Sequence, residues 1–86
     1  MRTILIFHEV DDVDHWLGSP RRREIFGPLG ITARTFVDPE RSHRVGLIVE
    51  APSMEAFREA MASPGAAAGM KFDGVRDETI QILTEG

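Results

Sequence analysis

The sequence predicts one α+β domain over residues 1–86, with the order strand, helix, strand, strand, helix, strand. The 86 residues read as two similar halves, because the pair Ser19-Pro20 recurs as Ser63-Pro64, an offset of 44 residues (19 to 63). Each half begins and ends with an apolar, β-branched stretch and has helical spacing in between. A chain of this length has room for a single hydrophobic core.

Four strands are predicted from runs of β-branched and aromatic residues bounded by turn-forming residues. They cover Thr3–Phe7, Ile31–Val37, Arg44–Ala51 and Val75–Leu83. The segment Asp38–Ser42 joins the second and third strands as a hairpin, because Asp, Pro and Ser favour turns. Right-handed crossovers then give an antiparallel sheet in the order 4-1-3-2, the ferredoxin-like sandwich with helices on one face. The first and third strands are almost continuously apolar, which suits central positions.

Each predicted helix is interrupted by a Ser-Pro pair. Val13, Trp16 and Leu17 have the i, i+3, i+4 spacing of a buried helix face and follow an aspartate that can cap the helix. Serine then caps a second segment with proline at its first position, which ends at Phe26. The second half repeats this pattern from Ser53 onward.

These helices cover only one face of the sheet. The other face carries either Leu5 and Phe7 or Ile4 and Ile6 of the first strand, together with apolar residues of the third. At about 25 cal/mol per Å2, leaving several such side chains in water forfeits several kcal/mol, comparable with the whole stability of a small domain. We therefore expect a homodimer in which the open sheet faces of two copies pack together.

The βαββαβ layout resembles the dimeric α+β barrel superfamily of small ferredoxin-like proteins. The helices that restart at Ser-Pro and the segment Phe26–Ile31 (FGPLGI) before the second strand add to the resemblance, which covers essentially the whole chain. That superfamily includes cofactor-free monooxygenases, haem-degrading enzymes, lactone isomerases, polyketide cyclases, dehydratases and many uncharacterised proteins. The resemblance therefore implies a fold and a dimer, and we carry over no catalytic residue from it.

Composition limits the partners. Fourteen acidic and ten basic residues give a net charge of −4 and a pI of about 5.2, which argues against nucleic-acid binding.

No apolar run approaches the ~20 residues of a membrane span, and the N-terminal apolar stretch is too short for a signal peptide. We therefore expect a cytoplasmic protein without membrane association. Cysteine is absent, so a thiolate metal site is excluded, and no cofactor is expected. A divalent metal held by the three histidines and an aspartate is geometrically conceivable, but neither HxH nor HExxH occurs to support it.

Three histidines are the candidate catalytic residues. His8 ends the first strand, His15 lies in the first helix and His43 precedes the third strand, so the topology places all three at one end of the molecule. Because histidine titrates near neutral pH, His8 and His15 beside an aspartate form a candidate general base. The alternative interpretation is that all three are ordinary strand-end and surface residues.

Aromatic residues are candidates for binding a flat organic ligand. Trp16, the only tryptophan, is predicted to face the sheet and to form an aromatic wall with Phe26 and Phe36. The alternative is that Trp16 is simply the largest core residue of a small domain.

Two arginines are further candidates. Arg22 belongs to the run Arg21–Arg23 at a helix start, where the helix dipole disfavours cations, so a partner for this run is expected unless it is solvated. Arg34 lies on the second strand, from which it can reach a pocket or the dimer interface.

Two hypotheses about function follow. The first is a small dimeric module that binds a hydrophobic or aromatic molecule, which can be anionic, between helices and sheet. The second is a cofactor-independent enzyme of the monooxygenase, isomerase or cyclase kind with a histidine base. An enzyme requires an inward-pointing histidine beside a cavity, a binding module requires only the cavity, and a purely structural dimer has a filled core.

Overall fold

The computed structural model describes all residues, Met1–Gly86, as a four-stranded antiparallel sheet covered on one face by helices. The strands are β1 (Arg2–Val10), β2 (Thr32–Val37), β3 (Arg44–Ala51) and β4 (Val75–Thr84). The helices are α1 (Val13–Gly18), α2 (Arg21–Phe26), α3 (Met54–Ala62) and α4 (Pro64–Phe72), and a 3-10 turn (Gly27–Leu29) follows α2. The sheet order β2-β3-β1-β4 confirms the predicted ferredoxin-like topology. None of the helices combines the length and apolar character needed to cross a bilayer.

The repeat is visible in the backbone. Gly30 and Gly74, which the 44-residue offset aligns, both end a helical segment in the left-handed conformation, with φ of 70° and 72°. Ser63 closes α3 and caps α4, because its Oγ accepts a hydrogen bond from the N–H of Ala66 at 3.2 Å. Ser19 plays a similar part before α2, although that helix begins at Arg21, one residue later than its counterpart.

The core lies between the helices and alternate residues of the central strands. β1 contributes Ile4, Ile6, His8 and Val10, and β3 contributes Val45, Leu47, Val49 and Ala51. Trp16 of α1 is 1% exposed and is the largest side chain in this layer, as its helical spacing predicted. The alternation settles which residues of β1 face the helices, because a strand turns successive side chains to opposite faces.

The open face of the sheet is apolar at its centre. It carries Leu5 and Phe7 of β1 rather than Ile4 and Ile6. Phe7, Gly46 and Phe36 form one row across β1, β3 and β2, and a β-carbon at position 46 would lie 3.7 Å from Cδ1 of Phe7. Phe7 and Phe36 are 43% and 47% exposed, so this chain alone leaves an aromatic surface in water.

β1 extends three residues beyond its predicted end because a bulge in β4 accommodates the extra length. Phe7 pairs with Gln81 and Glu9 pairs with Arg76, so four residues of β4 lie opposite one residue of β1. Thr79 bridges the irregularity, since its hydroxyl accepts from the N–H of Glu9 at 2.8 Å and donates to the carbonyl of Arg76 at 2.6 Å.

The substitution Thr79→Val tests this bridge. It removes the hydroxyl and leaves the Glu9 N–H without its partner, so the free energy of unfolding should fall by about 1–3 kcal/mol. Urea denaturation at fixed protein concentration measures the change. Thr79→Ser keeps the hydroxyl and should cost clearly less, and equal destabilisation by the two variants would contradict the assignment.

Candidate functional site

A cavity lies between the helices and the sheet, beside Trp16. Its volume is about 60 Å3, it is partly open to solvent, and its wall is mostly apolar. The lining side chains include Ile6, Ile25, Phe26, Leu47, Met61, Met70 and Ile80. The polar groups in the wall are His8, Arg21, Arg22 and Asp73. The space suits a few water molecules or a small organic group and falls short of the roughly 300 Å3 at the lower end of drug-sized pockets.

His8 is the buried imidazole of this cavity. It is 6% exposed, and its ring packs edge-on against Trp16 with 5.5 Å between ring centroids. Burial lowers the pKa of His8, the Glu9 carbonyl opposes this shift, and the positive charge of Arg22 adds to it. Nδ1 lies 3.5 Å from the Glu9 carbonyl oxygen, a long contact that favours the tautomer with the proton on Nδ1. The ring is therefore neutral near pH 7, with Nε2 as the nitrogen able to accept a proton.

Arg22 is the member of the arginine run that turns inward. Its guanidinium lies 4.5 Å from the centre of the Trp16 ring, and Nη1 donates to the Trp16 carbonyl at 3.2 Å. Nη1 is also 4.0 Å from Oδ2 of Asp73. Burial lowers the pKa of Arg22, and the charge of Asp73 opposes that shift. The neighbouring Arg21 instead covers Phe72 at the surface, 4.6 Å from the ring centre.

Asp73 was not identified from the sequence. It follows α4, is 4% exposed, and its Oδ1 atom is buried without a hydrogen-bond partner. An Asp-Gly pair after a helix is ordinary turn chemistry, so Asp73 and Gly74 gave no functional signal. The repeat gave none either, because the equivalent position in the first half is Leu29.

The other two histidines contact main-chain groups elsewhere. Nε2 of His15 lies 2.9 Å from the carbonyl oxygen of Phe72, and the two rings pack at 5.0 Å. Nδ1 of His43 lies 2.9 Å from the carbonyl oxygen of Val10. The N–H of Val10 in turn donates to the carbonyl of His43 at 3.0 Å. The structure therefore does not form the cluster of His8, His15 and an aspartate that the sequence suggested. No group of three or more His, Asp or Glu side chains is placed to hold a metal ion.

The predicted aromatic wall is divided between two faces of the sheet. Phe26 lines the cavity with Trp16, whereas Phe36 lies on the open face in the row of Gly46. Arg34 lies on that face as well, with its guanidinium 5.8 Å from the Phe36 ring centre. Phe36 lies on the open face because of the register between β2 and β3. Thr35 pairs with the inward-facing Leu47, so the next residue, Phe36, belongs to the opposite face.

The lowered pKa of His8 predicts how stability depends on pH. The unfolded chain binds the His8 proton with a pKa of about 6.5 and the folded chain binds it less readily, so unfolding takes up a proton below that value. Above pH ~6.5 His8 is neutral in both the folded and the unfolded chain, so it does not lower the free energy of unfolding. As the pH falls from there toward the folded-state pKa, the unfolded chain binds the proton first and the free energy of unfolding decreases. His8→Gln should reduce the stability difference between pH 7.5 and pH 5.5 in urea denaturation. His15→Gln retains His8 and should keep the difference, and an unchanged difference in His8→Gln would contradict the neutral, buried imidazole.

Comparison with known proteins identifies the fold. No protein-family model and no curated protein matches the chain. A crystal structure of an antibiotic biosynthesis monooxygenase superimposes with a TM-score of 0.68 at 14% identity, over 100% of this chain and 97% of that chain. A dimeric ferredoxin-like protein of unknown function from Jannaschia sp. CCS1 gives a TM-score of 0.68 at 14% identity, over 99% and 97%. A protein from Agrobacterium tumefaciens gives 0.66 at 14% identity, over 100% and 92%. The chain thus has a ferredoxin-like fold, which it shares with the antibiotic biosynthesis monooxygenase and with the dimeric ferredoxin-like protein of unknown function.

Proposed function

We propose that the protein binds a small, mostly apolar molecule in the cavity beside Trp16. The observation that carries the proposal is the pairing of unfilled space with polar groups taken out of water, namely the buried His8 and Asp73 and the half-buried Arg22. Burying an imidazole, a guanidinium and a carboxylate costs free energy, and a domain that needed only a filled core would avoid that cost. The superposition on a monooxygenase structure supports the fold alone and adds nothing on the cavity.

The charges of the cavity favour a neutral ligand. Arg22 and Asp73 carry opposite charges 4.0 Å apart, and His8 is neutral near pH 7. The positive charge of Arg22 is therefore balanced within the protein. The anionic ligand considered from the arginine run alone is accordingly the less favourable choice.

Binding can be measured through Trp16, the only tryptophan. Cyclopentanol and cyclopentanone, with six heavy atoms each, exceed the enclosed space, so each should enter with part of its ring and extend through the open side of the cavity. Each should shift Trp16 fluorescence and its indole N–H resonance with a Kd in about the millimolar range. Ala66→Val adds two methyl groups to a residue that lines the cavity and should weaken both probes at least tenfold. Ala67→Val changes an exposed position of the same helix and should leave binding intact. No response from the wild-type protein, or equal binding by Ala66→Val, would refute the proposal.

A second candidate function is proton abstraction by His8. The observation that favours it is a neutral imidazole in an apolar cavity with a guanidinium held against the same tryptophan. Nε2 of His8 would take a proton from carbon next to a carbonyl, and the electron pair of the broken C–H bond would form an enolate. The negative oxygen of the enolate would then be stabilised by Arg22.

Deuterium exchange into cyclopentanone tests this chemistry. In D2O the protonated ring of His8 exchanges its proton with solvent and returns a deuteron to the enolate carbon, so the α-proton signals should disappear faster with the protein than with buffer. His8→Gln should reduce the exchange to the buffer rate, while His15→Gln should retain it. Exchange at the buffer rate with wild-type protein that binds the ketone would exclude the base and leave the binding proposal standing.

We further propose that two copies pair through the open sheet face. The support is the row of Phe7, Gly46 and Phe36, flanked by Leu83, which is 57% exposed on the edge strand. Covering this surface removes several large apolar side chains from water, and a second copy presents the same surface. A structural neighbour is described as a dimeric ferredoxin-like protein.

Light scattering after gel filtration should give twice the 9.6 kDa mass of the chain. Phe7→Glu places a charge at the centre of the paired faces and should give the monomer mass. Leu29→Glu alters a side chain of similar exposure in the 3-10 turn and should remain dimeric. A monomeric wild-type protein, or a dimeric Phe7→Glu variant, would refute this interface.

A further inference from the structure

We propose that Asp73 determines which molecules the cavity accepts: its free carboxylate oxygen takes a hydrogen bond from an O–H or N–H group of the ligand. The ligand class is then small neutral alcohols, enols, amides or similar donors on an apolar skeleton. This inference rests on the proposed binding function and specifies its chemistry.

The geometry of Asp73 leaves one hydrogen bond to be made. The side chain is 5% exposed, so water gives its oxygens little access. Oδ2 lies 4.0 Å from Nη1 of Arg22, whereas Oδ1 is buried and has no partner in the protein. A carboxylate oxygen buried without a donor is costly, and nearly all such atoms in native proteins are paired. Because Asp73 lines the cavity, the missing donor can come from its occupant.

The donors of the protein that lie near Asp73 are directed elsewhere. Nη1 of Arg22 donates to the carbonyl of Trp16 at 3.2 Å, and its distance to Asp73 is longer than a hydrogen bond. Nδ1 of His8 faces the Glu9 carbonyl. Arg21 pairs with Glu24 at 3.3 Å on the surface. The cavity therefore offers a ligand one strong acceptor and few uncommitted donors.

This arrangement discriminates between functional groups on one skeleton. An alcohol donates to Oδ1 and gains a charge-assisted hydrogen bond. A ketone of the same shape leaves Oδ1 unpaired, and a carboxylate brings a second negative charge beside it. The apolar wall contributes equally to all three compounds, so their differences in affinity report on Asp73.

Three five-membered ring compounds form the test: cyclopentanol, cyclopentanone and cyclopentanecarboxylate, titrated against the whole protein at pH 7.5 and followed by Trp16 fluorescence and NMR. We expect cyclopentanol to bind about tenfold or more tightly than either of the others. Asp73→Ala removes the acceptor and should bring the ratio between alcohol and ketone to about one. Asp77→Ala removes an exposed carboxylate of β4 and should leave the ratio unchanged. Because a ratio is measured, a general loosening of the cavity affects both probes alike.

The outcomes separate this inference from the function on which it rests. If alcohol and ketone bind wild-type protein equally, Oδ1 is satisfied by water or left unused, and the inference is wrong while the binding function stands. The inference is equally wrong if the carboxylate binds most tightly or if Asp73→Ala keeps the ratio. If none of the three compounds perturbs Trp16, both proposals fail together. Should Asp73→Ala not fold, Asp73→Asn, which removes the charge, should lower the ratio, and an unchanged ratio would overturn the inference.

Discussion

The packing of His8 and Arg22 on Trp16 is the interaction on which the site depends. The indole lies in the layer between helices and sheet, where it meets the imidazole edge-on and the guanidinium on its face. One residue from β1 and one from α2 are thereby fixed relative to α1. Without this large side chain the two polar groups would lose the aromatic surface on which they pack, and the cavity beside them would lose part of its wall. The single tryptophan thus lies at the centre of the core and also positions His8 and Arg22 in the candidate site.

The two faces of the sheet have different consequences for the molecule. The helix-facing residues of β1 and β3 form the core of one chain, whereas the row containing Phe7 and Phe36 is exposed in the single chain. The candidate site lies on the helix side of the sheet. The proposed assembly and the proposed ligand binding therefore use opposite faces of the sheet. At 14% sequence identity the structural neighbours establish the fold but not the chemistry, which rests on the side chains of this chain.

Most of the fold follows from local signals, and most of the site does not. The strands and the broken helices were predicted because β-branched runs, serine caps and the repeated Ser-Pro pair act within a few residues. The strand order then followed from the general rule that crossovers are right-handed. Trp16 was placed in the core by its spacing alone. Phe36 was assigned to the cavity in error, because its face depends on the register of β2 against β3, which is a relation between distant residues. Asp73 was missed for the same reason, since its burial against Arg22 is set by how α4 packs beside α2.

The internal repeat also shows how the cavity wall is built. The 44-residue offset aligns Arg22 with Ala66 and Ile25 with Gly69, and all four line the cavity from α2 and α4. The first half presents long side chains and the second half presents small ones, and a β-carbon at position 69 would lie 2.9 Å from Cδ1 of Ile25. The missing β-carbon of Gly69 thus makes room for Ile25, and equivalent positions of the two halves contribute unequal side chains to the cavity wall. Evolution could reshape such a chamber by exchanging bulk between the halves, leaving strands, turns and topology as they are.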